Sequence, residues 1–203
     1  MNKAGIEYTA SFVVTLILGI VLLFVGMAFI GQIITGKDII EKQITQKEQQ
    51  LIEDVIVAEQ AKIVILDSTR DSTISDREYF WIGIRNIEPK ERNFSVTLSF
   101  DHAVALDSTY IQEADKNFIN EHWLEGRDRV GPRSIPSQDI SILGFSVFPH
   151  TRINDLQATI PGDYVFNVCT YLTDEGEPDC VAQSTSPSLY PTNDVRQVRL
   201  QLR

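Results

Sequence analysis

Hydrophobic and polar residues are distributed very unevenly along this chain. Residues 9–35 read TASFVVTLILGIVLLFVGMAFIGQIIT, with no charged side chain anywhere in the run. About 20 apolar helical residues span a hydrocarbon core of roughly 30 Å, so the pattern predicts one transmembrane helix over residues 9–35. A secretory signal peptide would have a shorter apolar region, about 7–15 residues, and a small-residue cleavage site. This run is longer and leads into Gly36, Lys37 and Asp38. Lys3 precedes it, while Lys37, Asp38, Glu41 and Lys42 nearly cancel after it, a charge pattern that favours a cytoplasmic N-terminus and an outer C-terminal domain. Ser11, Thr15, Gly19 and Gly26 share one arc of roughly 80° on such a helix. Small residues on one face let helices approach closely in lipid, which makes this arc a candidate self-association surface. The same residues are also well tolerated in membrane helices generally, and both readings stand.

Residues 36–61 are rich in Glu, Gln, Lys and Ile and contain no glycine or proline after Gly36. High helix propensity and the apolar set Ile40, Ile44, Leu51, Val55 and Ala58 predict a helical stalk. Lys47 and Asp54 interrupt the heptad, so the stalk packs on its own domain or on neighbours rather than forming a long coiled coil.

Near Lys62 the period changes from helical to alternating. Residues 62–67 (KIVILD) and 78–85 (EYFWIGIR) read as strands, and residues 93–100 (NFSVTLSF) give the clearest alternation, with Phe94, Val96, Leu98 and Phe100 on one face. Further strands are expected at 139–148, 163–171 and 195–202, bounded by turn residues. No βαβ rhythm appears, so residues 62–203 are expected to form an antiparallel β-sandwich. Residues 110–126 have helical character, with Ile111, Phe118, Ile119 and Trp123 available to cover an end or edge.

Composition narrows the function classes. The chain has 203 residues and a net charge of −10, and it lacks the Lys/Arg clusters that hold phosphate backbones, which argues against nucleic-acid binding. His102, His122 and His150 are scattered outside any metal-binding spacing, and no nucleophile elbow or phosphate-binding loop occurs. No catalytic residue, metal site or cofactor is therefore expected. Cys169 and Cys180 bracket a turn-like acidic segment, and in an oxidising compartment they are expected to pair. Asp174, Glu175, Glu177 and Asp179 lack the ordered spacing of an EF-hand and read as a solvated loop more readily than as a Ca²⁺ site. Asn93, Phe94 and Ser95 form a glycosylation acceptor triplet, with Asn93 and Ser95 pointing outward by alternation.

Lys3-Ala4-Gly5-Ile6-Glu7-Tyr8 followed by the apolar run resembles the start of type IV pilin-like proteins, especially Flp-type pilins and archaeal proteins with class III signal peptides. The resemblance implies that residues 1–8 are a leader or short flank. It places Glu7 where pilins carry the acid that neutralises a neighbour's new amino terminus, with Tyr8 as the aromatic that follows; Glu7 also reads as an interfacial charge before an apolar span. The outer strands, including Pro161-Gly162-Asp163-Tyr164, resemble archaeal immunoglobulin-like adhesion modules. Together these imply an α+β chain: a long N-terminal transmembrane helix with a helical stalk, then an immunoglobulin-like antiparallel β-sandwich exported to the surface. The expected function is a non-enzymatic surface structural protein, a pilin-like filament subunit in contact with membrane lipid, its own copies and other surface proteins. The alternative is a membrane-anchored binding or accessory module that does not polymerise.

Overall fold

The structure, a computed structural model, describes residues 12–13, 16–18, 20–22, 44–182, 184–191 and 194–203. The chain divides into two units, Met1–Gln43 and Ile44–Arg203. In the first unit the described residues are helical and their side chains exposed. Among the described residues no helix is long and apolar enough to cross a membrane. This corrects the expected single-pass anchor and the localisation built on it. A span needs about 20 consecutive helical residues; of the stretch 9–35, residues 12–13, 16–18 and 20–22 are described, and the others lie outside the described residues.

The second unit starts at a capped helix. Thr45 accepts the Glu48 N–H at its hydroxyl, and the Glu48 carboxylate accepts the Thr45 N–H at 2.9 Å, a reciprocal box that satisfies two otherwise orphaned donors. Those bonds hold the Glu48 carboxyl below its ordinary range. Helix α1 (Gln46–Glu59) ends at Gln60, whose φ of 51° turns the chain out of the helix. Ile52 and Ile56 are fully buried, one turn apart on one face, and lie against Gly83. Burial of each side chain is worth about 1.5–3 kcal/mol. Of the expected stalk over residues 36–61, residues 36–43 lie outside the described residues, and the described part is corrected from a stalk to a 14-residue helix seated on its own domain; once two isoleucines on one face find a sheet to cover, packing decides where the helix goes.

Among the described residues eight strands follow in two sheets: β1 (Ile63–Leu66), β2 (Thr69–Ser72), β3 (Glu78–Arg85), β4 (Arg92–Ala105), β5 (Arg129–Ile135), β6 (Ile140–Val147), β7 (Gly162–Leu172) and β8 (Val195–Leu202). One sheet has the order β1-β3-β6, the other β2-β8-β7-β4-β5. Neighbours pair antiparallel except β2 and β8, which run parallel, so the sheets are not purely antiparallel as expected. The described domain is mainly β, in the manner of a sandwich.

Alternation fills the space between the sheets. Phe80, Ile82 and Ile84 from β3 and Leu143 and Phe145 from β6 meet Phe94, Val96, Leu98 and Phe100 from β4 and Tyr164, Phe166 and Val168 from β7 in one cluster. A bulge between Phe100 and His102 shifts the β4 register by one residue and returns Ala103 to the core. The other face of β3 carries the buried Trp81 and presents Gly83 to α1, giving a third layer on the smaller sheet.

Helix α2 (Lys116–Trp123) is capped by Asp115, whose carboxylate accepts the Phe118 N–H at 2.8 Å. Ile119 and Trp123 are fully buried; the Trp123 indole donates to the Arg152 carbonyl at 2.9 Å and its ring lies 4.7 Å from that of Tyr164. The amphipathic pattern within residues 110–126 thus resolves into a short helix closing one end of the core.

Candidate functional site

The densest concentration of polar chemistry lies where the chain leaves β7. After Leu172 a 3₁₀ turn (Thr173–Glu175) carries it onto the outer face of the five-stranded sheet, and Cys180 bonds to Cys169 with their Cα atoms 5.7 Å apart. Cys169, Cys180 and Leu189 form a small apolar cluster of their own, with Val195 against it. Closing a loop of this size contributes about 3 kcal/mol in the chain-entropy model.

Side chains from β4 and β5 tie the loop down. The hydroxyls of Ser95 and Thr173 are 2.9 Å apart, and Thr97 donates to the Glu177 carboxylate at 2.7 Å. Arg92 pairs with Glu175 at 2.8 Å and lies 3.9 Å from Asp174, and Arg129 pairs with Glu177. Three of the four acids that the sequence left between a Ca²⁺ site and a solvated loop are therefore engaged by arginines. Among the described residues no group of three or more His, Cys, Asp or Glu is arranged to hold a metal ion.

Tyr190 completes the brace. Its phenol donates to the Arg85 carbonyl at 2.6 Å and accepts the Ile87 N–H at 2.9 Å, while its own N–H donates to the Thr170 carbonyl at 2.8 Å. One residue thus links β7 in the larger sheet to the end of β3 in the smaller. Its ring meets Phe94 edge-on at 4.9 Å. Burial raises the Tyr190 phenol above its ordinary pKa, against the smaller opposing effect of the Ile87 hydrogen bond.

Two further polar groups stand apart from the loop. Asp101, at the β4 bulge, takes the His102 Nδ1 at 2.7 Å and an Asn167 amide N–H at 3.0 Å, and Gln197 donates to Asn167 at 3.0 Å. Asn167 is fully buried, so this chain of bonds satisfies it and locks β4, β7 and β8 together. His122 and His150 have ring centroids 6.0 Å apart, and Phe118 lies edge-on to His122 at 4.1 Å. Phe118 thereby caps this imidazole pair beside α2.

Of the site residues expected from sequence, Cys169 and Cys180 are joined. Glu7, Tyr8, Ser11, Thr15, Gly19 and Gly26 lie outside the described residues. Asn93 is exposed, but Ser95 is only 1% exposed: it shares the outer face as alternation predicts, yet the loop covers it. Sequence reading missed Tyr190, Arg92, Arg129 and Asn167. Each acts through a partner distant in sequence, and no local spacing announces such a contact.

No protein-family model matches the chain, and no curated protein matches it. Among solved structures, PapD-like domain 7 of human CEP192 overlaps 70% of this chain and 84% of its own length, with 10% identity and a TM-score of 0.36. The Pseudomonas fluorescens alkylpurine DNA glycosylase AlkC, bound to DNA containing an abasic site analogue, overlaps 70% of this chain but only 31% of its own, with 10% identity and a TM-score of 0.36. A chaperone–tip adhesin complex of CFA/I fimbriae overlaps 70% and 55%, with 10% identity and a TM-score of 0.32. Overlaps at these scores carry no argument about what this chain does.

Proposed function

We propose that this protein is a non-enzymatic structural module that works by assembly with protein partners, its own copies first, and uses Ile44–Arg203 as a rigid head. The observation that carries this reading is the brace: Arg92, Arg129, Glu175, Glu177, Thr97 and the disulfide fix one loop to one sheet face, and Tyr190 ties that sheet to the end of β3 in the other. A head that transmits load or presents a surface needs such fixation. The disulfide suits an oxidising compartment, where a partner-binding head must survive without reductant.

Self-association would run through the small-residue face Ser11, Thr15, Gly19 and Gly26, with Glu7 as the charge that pairs with a neighbouring amino terminus. The test compares the mass of native assemblies of the full-length chain with that of a Gly19→Leu, Gly26→Leu variant. The wild type is expected to oligomerise, and the variant to lose its oligomers while its head unfolds at an unchanged temperature. A wild type that stays monomeric at every concentration removes self-assembly and leaves an accessory module that does not polymerise. Turnover of a substrate by the purified chain removes the structural reading itself.

A further inference from the structure

Asn93, Phe94 and Ser95 form an Asn-x-Ser triplet whose two chemical ends meet different surroundings. Asn93 is exposed near the start of β4, opposite Ser134 on the edge strand β5. Ser95 is buried beneath the braced loop, its hydroxyl 2.9 Å from that of Thr173. The backbone at Gly131 closes on it from β5, so near that a Cβ there would come within 3.0 Å of the Ser95 hydroxyl. Enzymes that glycosylate asparagine read both the amide and the hydroxyl two residues on, which is why working triplets lie in accessible loops. Here the triplet is held in a strand, Asn93 opposite Ser134 of β5, Ser95 opposite Tyr171 of β7, and Phe94 paired on both sides. The folded domain withholds the hydroxyl and leaves open space at the amide.

We propose that Asn93 is an N-glycosylation site that accepts its sugar only before the domain folds and the Cys169–Cys180 loop closes over Ser95. In the transfer, Asn93 Nδ2 forms a bond to the anomeric carbon of a sugar carried on a lipid pyrophosphate. The bond from that carbon to the phosphate oxygen breaks, the lipid pyrophosphate departs with the electron pair, and Nδ2 gives up one proton to a base of the transferring enzyme. Nothing is oxidised or reduced in this step. Loop closure and sugar transfer therefore compete for the same nascent segment, while the outward position of Asn93 lets a chain that already bears the glycan fold around it. The inference is independent of whether the head assembles.

The experiment incubates full-length chain with an oligosaccharyltransferase and a lipid-pyrophosphate-linked oligosaccharide, and reads occupancy at Asn93 by peptide mass. One sample is folded and oxidised, a second is reduced and unfolded before mixing, and an Asn93→Gln chain serves as the blank. The reduced, unfolded chain is expected to be glycosylated at least about a hundredfold faster than the oxidised one, because in the folded domain Ser95 becomes available only in a minor opened state populated at about 1% or less. Its glycosylated product, once oxidised, is expected to recover the Cys169–Cys180 bond and cooperative unfolding. Equal rates on oxidised and reduced chains would overturn the proposal. So would a complete failure of transfer to the reduced chain, or a glycosylated product that cannot re-form the disulfide.

Discussion

The side chain of Ile52 fills the place where any residue larger than glycine at position 83 would put its β-carbon: an ideal Cβ on Gly83 would lie 2.2 Å from Ile52 Cγ2 and 2.7 Å from Ile56 Cδ1. Helix α1 sits as close to β3 as it does because β3 has no side chain at that point. Gly83→Ala is expected to destabilise the domain by about 1–3 kcal/mol through overpacking. Because the clash is with one named group, Ile52→Ala in the same chain should return part of that loss. A double-mutant cycle by urea unfolding checks this, and additive losses would show that α1 moves aside freely.

Tyr190→Phe removes one hydroxyl and leaves the Ile87 N–H and the Arg85 carbonyl, on an exposed and a half-buried residue, without their phenol partner. The expected loss is about 0.5–1.5 kcal/mol, the usual net worth of such hydrogen bonding where water can reach the freed groups. Amide hydrogen exchange at Ile87 should speed up in the variant more than exchange in the middle of β7.

Alkaline pH gives a separate test at Tyr164, fully buried with its phenol donating to the Ile160 carbonyl at 2.9 Å. Burial pushes its pKa up to about 12. An unfolded tyrosine ionises at about 10, so the unfolded chain loses its proton first. The stability this group contributes is complete below about pH 10 and is lost as pH rises toward 12, at up to about 1.4 kcal/mol per pH unit. Tyr190, raised in the same direction, adds to the fall. Unfolding midpoints measured from pH 9 to 12 should decline, and Tyr164→Phe should flatten the decline while lowering the plateau.

Reduction of the Cys169–Cys180 bond is expected to lower stability by about 3 kcal/mol. The ion pairs of Arg92 and Arg129 hold the same loop but are partly exposed, and exposed pairs are worth about 0–1 kcal/mol each. High salt should therefore change the midpoint little in the oxidised protein. A thermal melt with and without reductant, each at low and high salt, separates the two contributions.

The strands that sequence patterning located best are those whose two faces meet different surroundings. Residues 78–85 and 195–202 were read with the bounds the structure gives to β3 and β8, because Phe80, Ile82 and Ile84, or Val198, Leu200 and Leu202, face the core at every second place. Strand β4 was read only to Phe100, since the bulge after it breaks the alternation that the reading depends on. Strand β2 (TRDS) and strand β5 (RVGPRSI) escaped entirely. Both lie at sheet edges and bury little, and Pro132 is tolerated in β5 because an edge strand need not donate on both sides. The helix after Thr45 was legible as a helix and misread as a stalk, because the deciding fact, the missing side chain of Gly83, lies across the fold. For the loop, the two cysteines were legible by compartment chemistry. Arg92 and Arg129 lie 83 and 48 residues from the glutamates they hold, and Tyr190 lies 105 residues from the Arg85 carbonyl, beyond any local pattern.

The parallel pairing of β2 with β8 sets how the domain meets tension. The two strands lie side by side and point the same way, with Thr69 opposite Arg199 and Ser72 opposite Leu202. A pull that reaches the start of β2 from one end of the chain and the finish of β8 from the other draws them past each other lengthwise. Every rung of that short ladder is then strained together, where an antiparallel pair joined by a turn would open one rung at a time. Loaded along that line, the seam would hold until its rungs gave way together.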